Sequence, residues 1–168
     1  MSEERSLRGA QAINKMKELA GKMPICMFLT RLNTRPIPAR PMSTQEVDDR
    51  GTVWFLSSRS SHKDQDIQKD PLVQLVYCNM DNSEFMSLLG DAEEYDDPIL
   101  KNRLWTPIAK TWFPKGVEDP DLVVIAVRPT EGYYWDTKSG KVVSLLKIVA
   151  SSIIGSGNDD GVEGRLKP

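Results

Sequence analysis

Histidine and cysteine are almost missing from this chain. Among its 168 residues there is one histidine, His62, and two cysteines, Cys26 and Cys78. Structural zinc sites and thiol catalysts need such donors in spaced groups, and no CxxC pair or cysteine–histidine set can be drawn from these three. No Ser-His-Asp set and no calcium-loop spacing is visible either, so no metal site is expected. Both cysteines stand in apolar, strand-like runs and are expected to be core residues in a reducing compartment. Charge of one sign is lacking too. Lys and Arg number 22 against 24 Asp and Glu, a formal net charge of −2. That balance argues against nucleic acid or an anionic membrane as the main partner. No apolar run reaches the length of a membrane span, and the N-terminal MSEERSLRGAQ has no apolar signal core. The expectation is a soluble, cytoplasmic protein.

What the chain does have is enough apolar sequence for one core, with 39% hydrophobic residues. The reading is a single domain over 1–154 and a disordered tail over 155–168, where Gly, Asp and Asn dominate. Ile13, Met16, Ala20 and Met23 recur at helical spacing, which predicts a helix over Leu7 to Lys22, stopped by Gly21 and Pro24. Ile25 to Thr30 is apolar on both faces and predicts a strand covered on both sides. Pro36 to Ser43, Thr52 to Leu56, Leu72 to Cys78, 84–95 and Leu122 to Val127 read as further strands, the last ended by Arg128-Pro129. Tyr133 to Trp135 and Val142 to Val149 are expected to pair as well. Roughly six or seven strands, mostly antiparallel, with peripheral helices predict a mainly β fold, a small closed or split β-barrel.

The stretch from Gly51 to Asn79 carries the densest chemistry. It reads as strand, polar turn, short helix from Asp64 to Lys69, and strand. Its turn, Ser57-Ser58-Arg59-Ser60-Ser61-His62-Lys63, gathers hydroxyls and cations before a helix N-terminus, where unpaired N–H groups and the helix dipole favour an anion such as phosphate. The plainer alternative is that Ser60 or Ser61 caps the helix and the cations are solvated. Pro41 cannot donate to a sheet ladder, so Ala39-Arg40-Pro41-Met42 is either a solvated edge or an irregular strand lining a partly open surface. Gln74, among Leu72, Val73, Leu75 and Val76, needs a ligand or a backbone partner if buried. Trp105, Trp112 and Phe113 crowd a loop-like segment and form either a core plug or a ligand wall.

Taken in order, ARPM at 39–42, WFLSSRSSHK at 54–63, the strand from Asp70-Pro71 to Asn79, AKTWFPKGVEDPDLVVIAV at 109–127 and YYWD at 133–136 resemble the general stress protein branch of the pyridoxamine 5′-phosphate oxidase-like flavoproteins. The similarity covers roughly residues 10 to 150. It implies an FMN-binding split barrel and a homodimer with FMN at the subunit interface. By resemblance, Arg40, Pro41 and Met42 run along the flavin ring, and Trp54, Phe55, Leu56 and Ser57 continue its wall. Ser58, His62 and Lys63 hold the FMN phosphate, and Trp112, Phe113 and Trp135 reach over from the second subunit; Gln74, from its place among apolar strand residues, is a further candidate cofactor contact.

One element of that family is absent. Its vitamin B6 oxidases carry Arg-x-His after the C-terminal tryptophan, whereas Trp135 is followed here by Asp136-Thr137-Lys138-Ser139-Gly140. The resemblance therefore implies a flavin-dependent oxidoreductase of unknown substrate, or alternatively a non-catalytic FMN-binding or sensor module. It speaks against a pyridoxamine 5′-phosphate oxidase.

Overall fold

Alternation of apolar and polar residues gives most strands one inward face, while 53–55 and 122–127 are buried on both faces, and the strands close on themselves. The computed structural model describes residues 3–137 and 161–168. In chain order the elements are β1 (Glu3–Glu4), β2 (Leu7–Arg8), α1 (Ala10–Lys22), β3 (Ile25–Leu29), β4 (Ala39–Val47) and β5 (Val53–Ser58). They continue as α2 (His62–Lys69), β6 (Leu72–Asn79), β7 (Glu84–Tyr95), α3 (Pro98–Leu104), two 3₁₀ turns (Pro107–Thr111 and Gly116–Glu118), β8 (Leu122–Thr137) and β9 (Gly161–Lys167). The neighbours run β8-β5-β4-β3-β6-β7, and β7 pairs again with β8, which closes an antiparallel barrel. The far half of β8 extends beyond it and carries β9, to which β1 and β2 add in parallel.

The main core fills the barrel with Phe28, Phe55, Leu75, Tyr77, Met86 and Leu88. Phe28 and Phe55 meet edge to face with centroids 5.3 Å apart. Burial of each such ring contributes about 1.5–3 kcal/mol over leaving it in water. Helix α1 lays Ala12, Met16 and Leu19 on this core. Outside the barrel wall, α3 and the following segment cover two smaller apolar clusters. One is built on Trp54, Leu104, Val124 and Ala126, the other on Ala109, Phe113 and Leu122.

Several expectations are corrected. The helix begins at Ala10, because Leu7–Arg8 is drawn into pairing with β9. Strand β3 is covered on one side only: Ile25 and Met27 are 61% and 40% exposed. The strand at Leu122 does not stop at Arg128-Pro129 but runs unbroken to Thr137. Pro129 is tolerated because its partner across the ladder is Gly90, at a register shift; a Cβ on Gly90 would lie 2.3 Å from the Arg128 carbonyl oxygen. The tail is ordered where it is described, because Gly161–Lys167 pairs with β8 on one side and with β1 and β2 on the other. Gly164 allows this closeness, since a Cβ there would meet the Arg5 carbonyl oxygen at 2.2 Å. Residues 138–160, including the strand expected over Val142 to Val149, lie outside the described residues.

Candidate functional site

Strands β4 and β5 join by a hairpin but part company along their length. They pair at Val47↔Val53, Glu46↔Trp54 and, past a bulge, Thr44↔Phe55, and there the ladder ends. Residues 39–43 of β4 continue paired only to β3, and Leu56 to Ser58 of β5 only to β8. The two facing edges, Arg40-Pro41-Met42 and Leu56-Ser57-Ser58, therefore border a split in the barrel. Backbone groups on such edges are free for another partner, and Pro41 has no N–H to offer in any case.

The polar turn and α2 sit at the end of this split. Ser61 occupies the N-cap position of α2, yet its hydroxyl caps no backbone N–H and instead donates to Asp64 Oδ2 at 2.9 Å. The capping alternative therefore fails, and so does the solvated-cation one for Lys63, which is buried at 4% exposure. Its ammonium donates to the hydroxyls of Ser57 and Ser61, the latter at 3.0 Å, with Asp64 Oδ1 at 3.9 Å. Ser57 in turn donates to Asp64 at 3.3 Å. Arg40 comes from the other lip of the split; its guanidinium donates to Thr30 Oγ1 at 3.0 Å and lies 3.5 Å from Asp66 Oδ2 on α2.

The electrostatics place these two cations in one neighbourhood. Burial holds the Lys63 ammonium below its ordinary range; Asp64 opposes this, and the nearby Arg40 guanidinium adds to it. Burial conversely raises the Asp64 carboxyl, against the pull of Lys63. Two cations beside a helix N-terminus can share an anion, although Asp64 and Asp66 already offset part of their charge. The turn's outer side is different. Asp121, just before β8, accepts from the Ser58 hydroxyl, from the Ser60 N–H at 2.9 Å and from the Ser60 hydroxyl at 3.2 Å. These bonds, the Ser58 one foremost, hold the Asp121 carboxyl below its ordinary range. Arg59 pairs with Asp96. Ser58 is thus already engaged, and the hydroxyls beside Lys63 are those of Ser57 and Ser61.

The predicted site residues divide accordingly. Arg40, Pro41, Met42, Leu56, Ser57, Ser58, His62 and Lys63 all stand along the split or at its end, with His62 exposed at the first turn of α2. The side chains of Trp54 and Phe55 do not line the split. Phe55 is in the barrel core, and Trp54 packs under α3, with its indole N–H on Asp48 at 2.9 Å and Arg103 over its ring. Gln74 is half-buried, away from any backbone partner, and donates to Ser87 Oγ at 2.8 Å. Phe113 is a core plug, Trp112 is 67% exposed, and Trp135 lies on the far half of β8 stacked on Tyr133.

Sequence reasoning missed Thr30, Asp64, Asp66 and Asp121, and named Ser61 only within the turn and as a candidate cap. The acids of Asp64-Gln65-Asp66 were open to inspection as partners for cations one turn away. Asp121 was not, because its partners are distant in sequence.

A barrel split along one seam, with an apolar lip and a charged end, places the chain among the small, partly open β-barrels. Residues 11–159 match the family described as "Pyridoxamine 5'-phosphate oxidase like", and the chain belongs to that family. A search of curated proteins returned no match. Among solved structures, the chain is similar to a candidate general stress protein 26 from Jannaschia sp. CCS1, with TM-score 0.78 and 21% identity over 95% of this chain and 99% of that one. It is also similar to general stress protein 26 from Bacillus anthracis, with TM-score 0.64 and 23% identity over 73% and 92% of the two chains. A third is the general stress FMN/FAD binding protein from Xanthomonas citri, with TM-score 0.65 and 24% identity over 77% and 91%. These likenesses agree with the split-barrel fold.

Proposed function

We propose that this chain binds flavin mononucleotide along the β4–β5 split and works as a homodimeric flavoprotein. The observation that carries the reading is the end of the β4–β5 ladder at Thr44↔Phe55, with Arg40 and Lys63 at the far end of the resulting gap. The residues present fit such a group. Unpaired backbone of 39–43 and 56–58 offers donors and acceptors for the polar edge of a flat ring, and Met42 and Leu56 offer apolar surface. Lys63, Arg40, the Ser61 hydroxyl and the N–H groups opening α2 would hold the phosphate. Bound flavin would supply electron transfer of one or two electrons, and the protein's task is to orient it and set its surroundings. The name of the Xanthomonas citri structure, which includes FMN/FAD binding, supports the assignment.

The homodimer is supported by the outer face of the barrel. Ile25, Met27, Leu72, Tyr133 and Trp135 are exposed there, beside an apolar groove of about 440 Å³ lined by Val76, Phe85 and Trp135. A soluble chain seldom leaves so many large apolar side chains on adjoining strands uncovered. Among the described residues, no helix is long and apolar enough to cross a membrane.

Purified protein should be yellow, and heat extraction should release FMN; a colourless protein that takes up no added FMN rejects the reading. Anaerobic addition of NADH or NADPH then separates a reductase from a binding module, since bleaching supports turnover and an inert spectrum supports binding alone. For the dimer, Met27→Asp should shift sedimentation toward monomer and lower flavin content. A flavin-loaded wild-type monomer would contradict the shared site.

A further inference from the structure

The charges around the turn are out of balance for an anion site. Arg40, Arg59 and Lys63 stand beside Asp66, Asp96 and Asp64, with Lys101 also on Asp96, while Asp121 and Glu94 bring two more carboxylates. A phosphate entering here adds negative charge to a neighbourhood that already holds more acids than bases. Each added negative charge makes it costlier for every one of these carboxyls to stay ionised, and the least costly response is for one carboxyl to take a proton.

Glu94 is the one placed to do so. Asp64 accepts from Ser57 and Ser61, Asp66 from Thr30 and Arg40, Asp96 from Arg59 and Lys101, and Asp121 from Ser58 and Ser60. Each of these would forfeit bonds to its ionised form on protonation. Glu94 Oε2 is buried and has no hydrogen-bond partner. The residue stands near the end of β7, the strand against which α2 packs, and opposite the uncharged Ile125 of β8. The charged groups that face it are Asp64 and Lys63 of α2, Arg59 of the turn, and Asp96 after β7. Burial, and next Asp64, already hold its carboxyl above the ordinary range.

We infer that Glu94 sets the affinity of this turn for a phosphorylated ligand, by taking up a proton when a phosphate monoester binds beside Lys63. The inference rests on the FMN reading above. Its sign is fixed by linkage. A carboxyl whose pKa rises when phosphate binds carries a proton into the complex, so phosphate affinity grows as pH falls. Glu94→Gln removes both the charge and the need for the proton.

Riboflavin, which lacks the phosphate, is the internal control. FMN and riboflavin affinities are measured by fluorescence titration for wild type, Glu94→Gln and Glu94→Asp. At about pH 8, Glu94→Gln should bind FMN roughly 3- to 10-fold more tightly than wild type with riboflavin unchanged, the scale of one partly screened like-charge contact. Glu94→Asp, which keeps the charge, should follow wild type. Between about pH 8 and pH 6.5 the preference of wild type for FMN over riboflavin should grow more than that of Glu94→Gln; the phosphate's own second ionisation near pH 6 is common to both. If Glu94→Gln binds riboflavin normally but FMN no tighter than wild type, the inference is overturned. Should wild type bind neither flavin, the FMN reading fails and takes the inference with it. A melting temperature unchanged in Glu94→Gln ties the affinity change to the site.

Discussion

Two strands of this barrel contain a proline, and the two seams they border end differently. Pro129 lies in the middle of β8, whose seam with β7 shifts register at Gly90 and then resumes, running from Phe85↔Trp135 to Tyr95↔Val124. Pro41 lies in β4, whose seam with β5 stops at Thr44↔Phe55 and does not resume. A proline therefore does not open a sheet by itself. At Pro129 the missing N–H is absorbed by a bulge opposite a residue with no side chain. At Pro41 the facing segment is Leu56 to Ser58, whose serines are committed to Asp64 and Asp121, and whose chain then turns into α2. The closed seam is shaped by backbone fit, and the open one by side chains that bind elsewhere.

The comparison is broken most forcefully at the closed seam. Gly90→Ala would place a Cβ 2.3 Å from the Arg128 oxygen and 2.7 Å from Pro129 Cα, both backbone atoms that cannot swing away. A loss of roughly 2–4 kcal/mol in urea unfolding is expected, the range of a steric conflict in a packed seam. A melt like that of wild type would mean that Pro129 is accommodated by some means other than the missing side chain.

The open seam should respond in binding more than in folding. Lys63→Ala removes the buried ammonium at the end of the split and is expected to weaken FMN binding by about 1.5–3 kcal/mol, with riboflavin changed far less. The contrast between the two ligands separates loss of a phosphate contact from general loosening, because the buried Asp64 also loses its partner. Equal weakening of both would assign Lys63 to the fold alone.

Much of this was legible in the sequence, and the failures have physical causes. The strand, turn and helix of 51–79 follow from alternation and from Asp70-Pro71, and they stand as expected except that the helix opens at His62, two residues before Asp64. Arg128-Pro129 looked like a stop because the residue that rescues Pro129 is Gly90, and cross-strand partners are not written in local sequence. The tail looked too polar to order, yet its few apolar residues include Leu166, which is buried, and its order comes from neighbours on both sides. Trp54 was expected on the flavin wall by resemblance and Phe113 as ligand wall or core plug, and the side chains of both are core. The basic turn was recognised, but its acids were not, because Asp96 and Asp121 reach it only through the fold.

The smallest effect concerns how the open seam is kept from unzipping further. Beyond Val47↔Val53 the hairpin turns at Gly51, whose φ of 81° suits glycine, and Asp48 ties that turn together. Its carboxylate accepts from Arg50 N–H and Thr52 N–H and from the Trp54 indole, each at 2.9 Å. Burial works against its ionised form, but these bonds outweigh burial and leave the carboxyl below its ordinary range. A carboxyl lowered by folding contributes stability above its unfolded pKa, near 3.9, and that contribution fades as pH falls through the folded value. Asp48→Ala should therefore cost about 1–2 kcal/mol near neutral pH, the scale of bonds to a charged acceptor. The difference from wild type should narrow in acid below about pH 4, as wild type loses what the variant never had. If the gap stays constant through that range, the turn is held by backbone geometry at Gly51 and not by the Asp48 charge. The three pairs of the β4–β5 seam would then need no side chain to limit the split.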